Sequence, residues 1–266
     1  NVLSPSTLRG YRQMEKYYDP IKDMDVSEID QNTVVGFINE FAGKHSPKTV
    51  RNAYSLLCAV IRLQIPDASF RVTMPQKEIL QYYIPKDEEL QSLLSYTKTA
   101  NYDLYVAILL ASIGTLRRSE VCGLYADDIQ GNTVHVHQTM VKNQNYKWVL
   151  KSVAKNSTSD RYVEYPDKVI KELPVSGKIC NLNPDMITHD FGRTIKKLGL
   201  PHFRFHDLRH YAATIMHAMG VPEAYIMERG GWKTNTVLNQ VYRGTRSDFS
   251  KKYSDQANGY FENHLL

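Results

Sequence analysis

The amino-acid sequence predicts a mainly α-helical protein with a small antiparallel β-sheet, arranged as two domains. Three observations carry this reading. Apolar residues recur at helical spacing in the amino-terminal region, and Tyr102–Ile113 is apolar nearly all round. Alternation replaces helical periodicity only between about residues 129 and 165. A chain of 266 residues also exceeds the roughly 150 residues of an ordinary domain, which favours two.

The elements follow in order from local chemistry. Ser4-Pro5 and Ser46-Pro47 each place a cap residue before a proline suited to the first helical turn. After Ser46, the residues Val50, Tyr54, Leu57 and Ile61 recur at steps of 4, 3 and 4, an apolar helical stripe. Lys48, Arg51, Asn52 and Arg62 occupy its other side, a basic face that is either solvated or turned to a polyanion. Asp67–Gln76, with Pro66 and Pro75 and little periodicity, reads as linker-like. The boundaries expected are 1–75 for a helical domain, 76–83 for a linker, 84–246 for a second domain and 247–266 for a tail.

In the second domain Lys86-Asp87-Glu88-Glu89 opens a helix with an acidic first turn, which suits the helix dipole. Tyr102–Ile113 is expected to be a buried helix. Thr133–His137 alternates, Trp148-Val149-Leu150 follows the polar turn Asn143-Gln144-Asn145, and Arg161–Tyr165 alternates again, giving about three strands. Helices resume at the cap Asn183-Pro184 and continue through 206–219, 222–229 and 234–242.

Composition narrows the function classes. Thirty-three basic against 28 acidic residues give a net charge of +5 and a pI near 8.9, which suits a polyanionic partner. Mean hydropathy is −0.43, and no stretch approaches the ~18 apolar residues of a spanning helix. Asn1–Arg12 lacks the apolar core of a signal peptide. Cys58, Cys122 and Cys180 are too dispersed for a disulfide framework or a metal knuckle, and read as buried thiols of an intracellular protein. A chain opening on Asn rather than Met is expected to be a trimmed piece of a longer one.

Three stretches set charge among apolar residues. Leu116-Arg117-Arg118-Ser119-Glu120 follows the buried helix, Phe205-His206-Asp207-Leu208-Arg209-His210 opens another, and Gly230-Gly231-Trp232 precedes a segment ending at Tyr242. His206 and Arg209 are three apart and share a helix face. Cations beside apolar walls call for an anion, and arginine grips phosphate bidentately.

At these residues the chain resembles the tyrosine recombinases, the phage integrase family. The family pattern falls on Arg117 with Glu120, Lys155 in Ala154-Lys155-Asn156-Ser157, His206 with Arg209, Trp232 and Tyr242, all in order within residues 85–245. Thr115 stands where the family usually has glycine, and Gly244 where a histidine is common two residues after the nucleophile. The resemblance implies a helical core-binding domain followed by an α+β catalytic domain. It also implies cleavage and rejoining of DNA through a 3′-phosphotyrosine on Tyr242. Arg117 and Arg209 would meet the transition-state charge, and His206 would act as base for a phenol of ordinary pKa ~10. Lys155 would be the general acid for the 5′ oxygen. Trp232 would contact the phosphate, and Glu120 would orient the first arginine. No metal and no cofactor are expected.

The partners implied are double-stranded DNA recombination sites, three further copies of the chain in a tetramer on paired sites, and accessory DNA-bending or directionality factors, with no membrane. The tail 247–266 would dock on a neighbouring protomer, and the setting would be a bacterial cytoplasm. Lys48, Arg51 and Arg62 are the DNA-binding candidates of the first domain. A type IB topoisomerase and a non-catalytic DNA-binding module stay open as alternatives. A zinc hydrolase is weaker, because Arg209 inside the His206–His210 pair would repel a dication.

Overall fold

The computed structural model describes residues 3–76, 83–153, 158–235 and 258. The chain divides into two compact units, Asn1–Leu80 with Lys142–Lys147, and Gln81–Val141 with Trp148–Leu266.

The first unit is built on α1 (Pro5–Glu15), α2 (Gln31–Ala42) and α3 (Pro47–Gln64). Ser4 caps α1, Asp30 caps α2 and Ser46 caps α3, each side chain accepting from a backbone N–H in the first turn. Val34, Phe37, Ile38 and Phe41 of α2 meet Val50, Ala53, Leu57 and Ile61 of α3 in one core.

The stretch read as linker-like differs from expectation. Ala68, Phe70, Val72 and Met74 all pack on that core. Gln31 brackets Arg71, its Nε2 donating to the Arg71 carbonyl at 2.7 Å and its Oε1 accepting from the Arg71 N–H at 2.9 Å. The period of two was present in the sequence. It was hidden because an extended segment outside a sheet binds by one apolar edge and by side chains from distant helices.

The second unit holds α4 (Asp87–Ala100), α5 (Tyr102–Gly114), α6 (Arg118–Val121), five short strands, α7 (Asp167–Ile170), α8 (Pro184–Lys197), α9 (Asp207–Ala218) and α10 (Glu223–Gly230). From Leu104 to Ala111 every residue of α5 is buried, so this helix forms the centre of the unit, packed by α4, α8 and α9. The sheet is more divided than expected. Strands β1 (Ile129–Gln130), β2 (Thr133–Val136) and β5 (Arg161–Glu164) form one antiparallel sheet in the order β1-β2-β5. Strands β3 (Gln138–Lys142) and β4 (Trp148–Ser152) form a separate pair. The break falls at His137, whose ring meets Asp128 at 2.8 Å while its carbonyl accepts from Val153 N–H. Alternation alone does not reveal such a change of partner.

Cys58, Cys122 and Cys180 are buried free thiols. No helix among the described residues is long and apolar enough to cross a membrane. Of the expected helix 234–242 and the tail 247–266, only residues 234, 235 and 258 are among the described residues.

Candidate active site

The last turn of α5 delivers the first arginine. Thr115, its C-cap, lies in the left-handed region at φ 63° and ψ 21°, a conformation costing roughly 1–2 kcal/mol outside glycine. The reversal points the chain through buried Leu116 into Arg117. Part of that strain is offset by the Thr115 hydroxyl, which donates to the Arg229 carbonyl at 3.0 Å.

Arg117 is the N-cap of α6, and Glu120 in the first turn reaches back to it. The carboxylate accepts from the Arg117 backbone N–H at 2.8 Å and from its Nη1 at 2.6 Å. Arg161, from the buried side of β5, grips the same carboxylate with two parallel bonds, Nη1 to Oε1 at 3.2 Å and Nη2 to Oε2 at 3.0 Å. Arg209 Nη1 lies 4.0 Å from Oε2. Burial alone would raise the Glu120 pKa, but Arg161, then Arg117 and Arg209, more than reverse that and hold it down to about 2. Three guanidiniums around one carboxylate leave the cluster cationic.

The same three arginines read three consecutive carbonyls. Arg161 Nε donates to Arg229 O at 2.8 Å, Arg209 Nη2 to Gly230 O at 2.9 Å, and Arg117 Nη2 to Gly231 O at 3.1 Å. Glycine is required twice in this strip. A Cβ at Gly230 would enter the Trp232 ring, and Gly231 has φ 62° with the Thr158 carbonyl against the position a Cβ would take. Trp232 then stacks under Arg209, whose guanidinium carbon stands 4.6 Å from the ring centroid.

The arginines differ in access. Arg209 is 1% exposed; its Nη1 donates to Thr115 O as well, and its Nε has no hydrogen-bond partner among the described residues. Desolvation and the charge of Arg117 push its pKa down, opposed by Glu120. The Arg117 side chain keeps 32% of its surface, so it is the most exposed of the three guanidiniums.

His206 caps α9, one turn ahead of Arg209. The loop before it is held by Asp207, which accepts from the Arg204 N–H at 2.7 Å and from its guanidinium at 2.8 and 3.1 Å. His206 retains an exposed edge. Desolvation on its packed side, with the neighbouring charge of Arg209, lowers its pKa from 6.5 to about 4. The imidazole is neutral near pH 7 and able to accept a proton. His210 meets its ring edge-on at 5.2 Å.

The structure thus brings Arg117, Glu120, His206, Arg209 and Trp232 into one region of the second unit. Lys155 and Tyr242 lie outside the described residues. Arg118 turns away, its Nη1 donating to Pro184 O and to the Thr188 hydroxyl. Sequence reasoning missed Arg161. The available signal was parity: Arg161, Val163 and Tyr165 share one face of an alternating strand, so a buried Val163 implies a buried arginine. Arg229 was missed too; its Nη2 donates to Ile113 O at 3.2 Å and to Glu164 O at 2.8 Å, tying α10 to α5 and β5.

In the first unit Lys48, Arg51 and Arg62 lie on one side of α3. Lys48 is exposed. Arg51 Nη2 donates to Pro75 O at 2.8 Å and Arg62 Nε to Ala68 O at 3.0 Å, so two of the three also fasten the extended segment.

Comparison with known proteins agrees with this architecture. The model of the phage integrase family matches residues 85–248. An integrase of Saccharopolyspora erythraea is 30% identical over 80 residues, which make up 30% of this chain and 18% of that protein. The chain therefore matches less than a fifth of that relative's length. In structure it is similar to the Tn1549 transposon integrase in complex with transposon right end DNA, with TM-score 0.76 and 15% identity over 97% of this chain and 95% of that one. It is also similar to a lambda integrase from a tetramer bound to a Holliday junction, with TM-score 0.65 and 14% identity over 90% of this chain and 72% of that one.

Proposed function

The chain belongs to the phage integrase family, and on that premise we propose that it is a site-specific DNA recombinase that integrates or excises a mobile element. The observation that carries the reading is the cationic cluster on Glu120, with Arg117 partly open and neutral His206 nearby. Such a cluster suits a phosphodiester becoming pentavalent, where charge gathers on the non-bridging oxygens.

In the proposed reaction the Tyr242 oxygen attacks phosphorus and the bond to the 5′ oxygen breaks. His206 takes the phenolic proton and Lys155 gives a proton to the leaving oxygen. The bond energy stays in the phosphotyrosine, and the 5′-hydroxyl of a partner strand reverses the step. Arg117 meets one non-bridging oxygen from its exposed side. Arg209 adds charge from behind, buried under Arg117. Trp232 forms the floor beneath Arg209.

The substrates proposed are duplex recombination sites, gripped by the first unit through Lys48, Arg51 and Arg62 and by the second through this cluster. Four copies act on two paired sites, a reading supported by the lambda relative bound to a Holliday junction. The tail 247–266 docks on the next copy, and the enzyme works on DNA in the cytoplasm of a bacterial host, with DNA-bending or directionality factors as accessories.

Covalent capture tests the reading. Protein incubated with fragmented host DNA, denatured, and recovered with attached DNA should yield a small set of related sequences. Capture without sequence preference, together with relaxation of supercoils, would indicate a topoisomerase. No covalent DNA at all would leave only a binding module.

A further inference from the structure

We propose that Arg161 is a positioning residue for strand cleavage, acting through Glu120 to hold Arg117 where it meets the scissile phosphate. This inference rests on the recombinase reading above.

Arg161 has no route to DNA of its own. Its side chain is 4% exposed, and its donors are committed inside the protein. Nε goes to Arg229 O at 2.8 Å, Nη1 to Glu120 Oε1 at 3.2 Å and Ser159 O at 3.3 Å, and Nη2 to Glu120 Oε2 at 3.0 Å. What it controls is the plane of the Glu120 carboxylate. Each oxygen of that carboxylate is shared between the two arginines. Oε1 accepts from Arg161 Nη1 and Arg117 Nη1, and Oε2 from Arg161 Nη2 and the Arg117 backbone N–H. A carboxylate held by a rigid fork on one side presents a fixed pair of lone pairs on the other. Arg117 is thereby set at both its backbone and its guanidinium. Arg161 Nε adds a second constraint, fixing the Arg229 carbonyl two residues before Gly231, whose carbonyl receives Arg117 Nη2.

A lysine at this position keeps the charge but offers one point where a fork is needed. It cannot hold both carboxylate oxygens and the Arg229 carbonyl together. The groups facing Glu120 are Arg117 on its own turn, Arg161 on β5, the Tyr165 phenol just after that strand, and Arg209 from α9. With Arg161 replaced by a neutral residue, burial acts on the carboxylate against two cations instead of three, and its pKa rises from about 2.

The experiment measures single-turnover adduct formation at saturating DNA for the full chain, for Arg161→Lys, for Glu120→Gln and for the double variant. Arg161→Lys should slow adduct formation about tenfold or more with DNA affinity unchanged. In the Glu120→Gln background the same substitution should add no more than about twofold, because only the constraint through the Arg229 carbonyl is then left to lose. Arg161→Gln should lose activity as pH falls from 8 to 5 more steeply than the parent. Equal losses in both backgrounds, or no loss from Arg161→Lys in the parent, would overturn the inference while leaving the recombinase reading intact. A parent protein that forms no adduct would overturn both.

Discussion

The hydroxyl of Tyr165 occupies the space that Gly114 leaves empty. It donates to the Leu110 carbonyl at 2.9 Å, and a Cβ on Gly114 would overlap it. Burial also drives the phenol pKa far above its ordinary value, so the group stays a neutral donor. Because Gly114 closes α5 and Thr115 follows, this contact sets the exit angle of the segment that carries Arg117. Gly114→Ala should therefore destabilise by about 1–3 kcal/mol through overpacking, read as a lower urea midpoint. Gly114→Ala should cost less in a Tyr165→Leu background, where the end of the ring that the Cβ would meet is gone. A double variant as unstable as the additive sum would show that the two residues do not share the space.

Thr115 supplies a second test. Thr115→Val keeps the left-handed strain and loses the hydroxyl bond to Arg229 O, whereas Thr115→Gly loses the bond but also removes the strain. With about 1 kcal/mol for the bond and about 1–2 kcal/mol for the conformation, the glycine variant should be near the parent and more stable than the valine one. The reverse order would mean that packing of the buried side chain outweighs the backbone strain.

Much of the fold was legible because it rests on local signals. Caps at Ser4, Ser46 and Asn183 begin helices where serine or asparagine precedes proline, and the apolar run after Tyr102 is buried as expected. The arginine turn, the His206–Arg209 step and the tryptophan were visible as motifs, and the structure brings them together. What stayed hidden depends on distant partners. Arg161 reads as an ordinary strand residue until Glu120, 41 positions away, is placed against it. The carbonyls of Arg229, Gly230 and Gly231 have no sequence signature at all. Ala68, Phe70, Val72 and Met74 gain meaning only once Gln31 and Tyr54 bracket the backbone between them.

Acid stability should follow His210. It is 4% exposed, and desolvation lowers its pKa from 6.5 to about 4, against the opposing pull of Asp207. Between those values the unfolded chain binds the proton and the folded one does not. The stability present above pH 6.5 is thus lost as pH falls toward 4. Glu120 follows lower, its contribution present above about 4.5 and lost as pH falls toward 2. Urea midpoints from pH 7 to 4.5 should fall, and His210→Gln should flatten that slope. An unchanged slope in the variant would assign the titration elsewhere.

On the first unit, the three basic candidates should separate. Lys48→Ala should lower the slope of log affinity against log salt by about one with stability unchanged. Arg51→Ala should weaken DNA binding and also loosen the extended segment, because it gives up the bond to Pro75 O. A salt slope unaffected by any of Lys48→Ala, Arg51→Ala and Arg62→Ala would mean that this face meets solvent.

In the proposed reaction Tyr242 becomes covalently joined to DNA at a phosphate held by the Glu120 cluster. The direct measurement is mass spectrometry of the peptide that carries the nucleotide after reaction with captured-site DNA nicked to trap the adduct. The expected result is phosphotyrosine on Tyr242, complete loss of adduct in Tyr242→Phe with DNA affinity retained, and loss on the order of 10²–10³ in Arg117→Ala. An adduct on another residue, or one that persists in Tyr242→Phe, would contradict it.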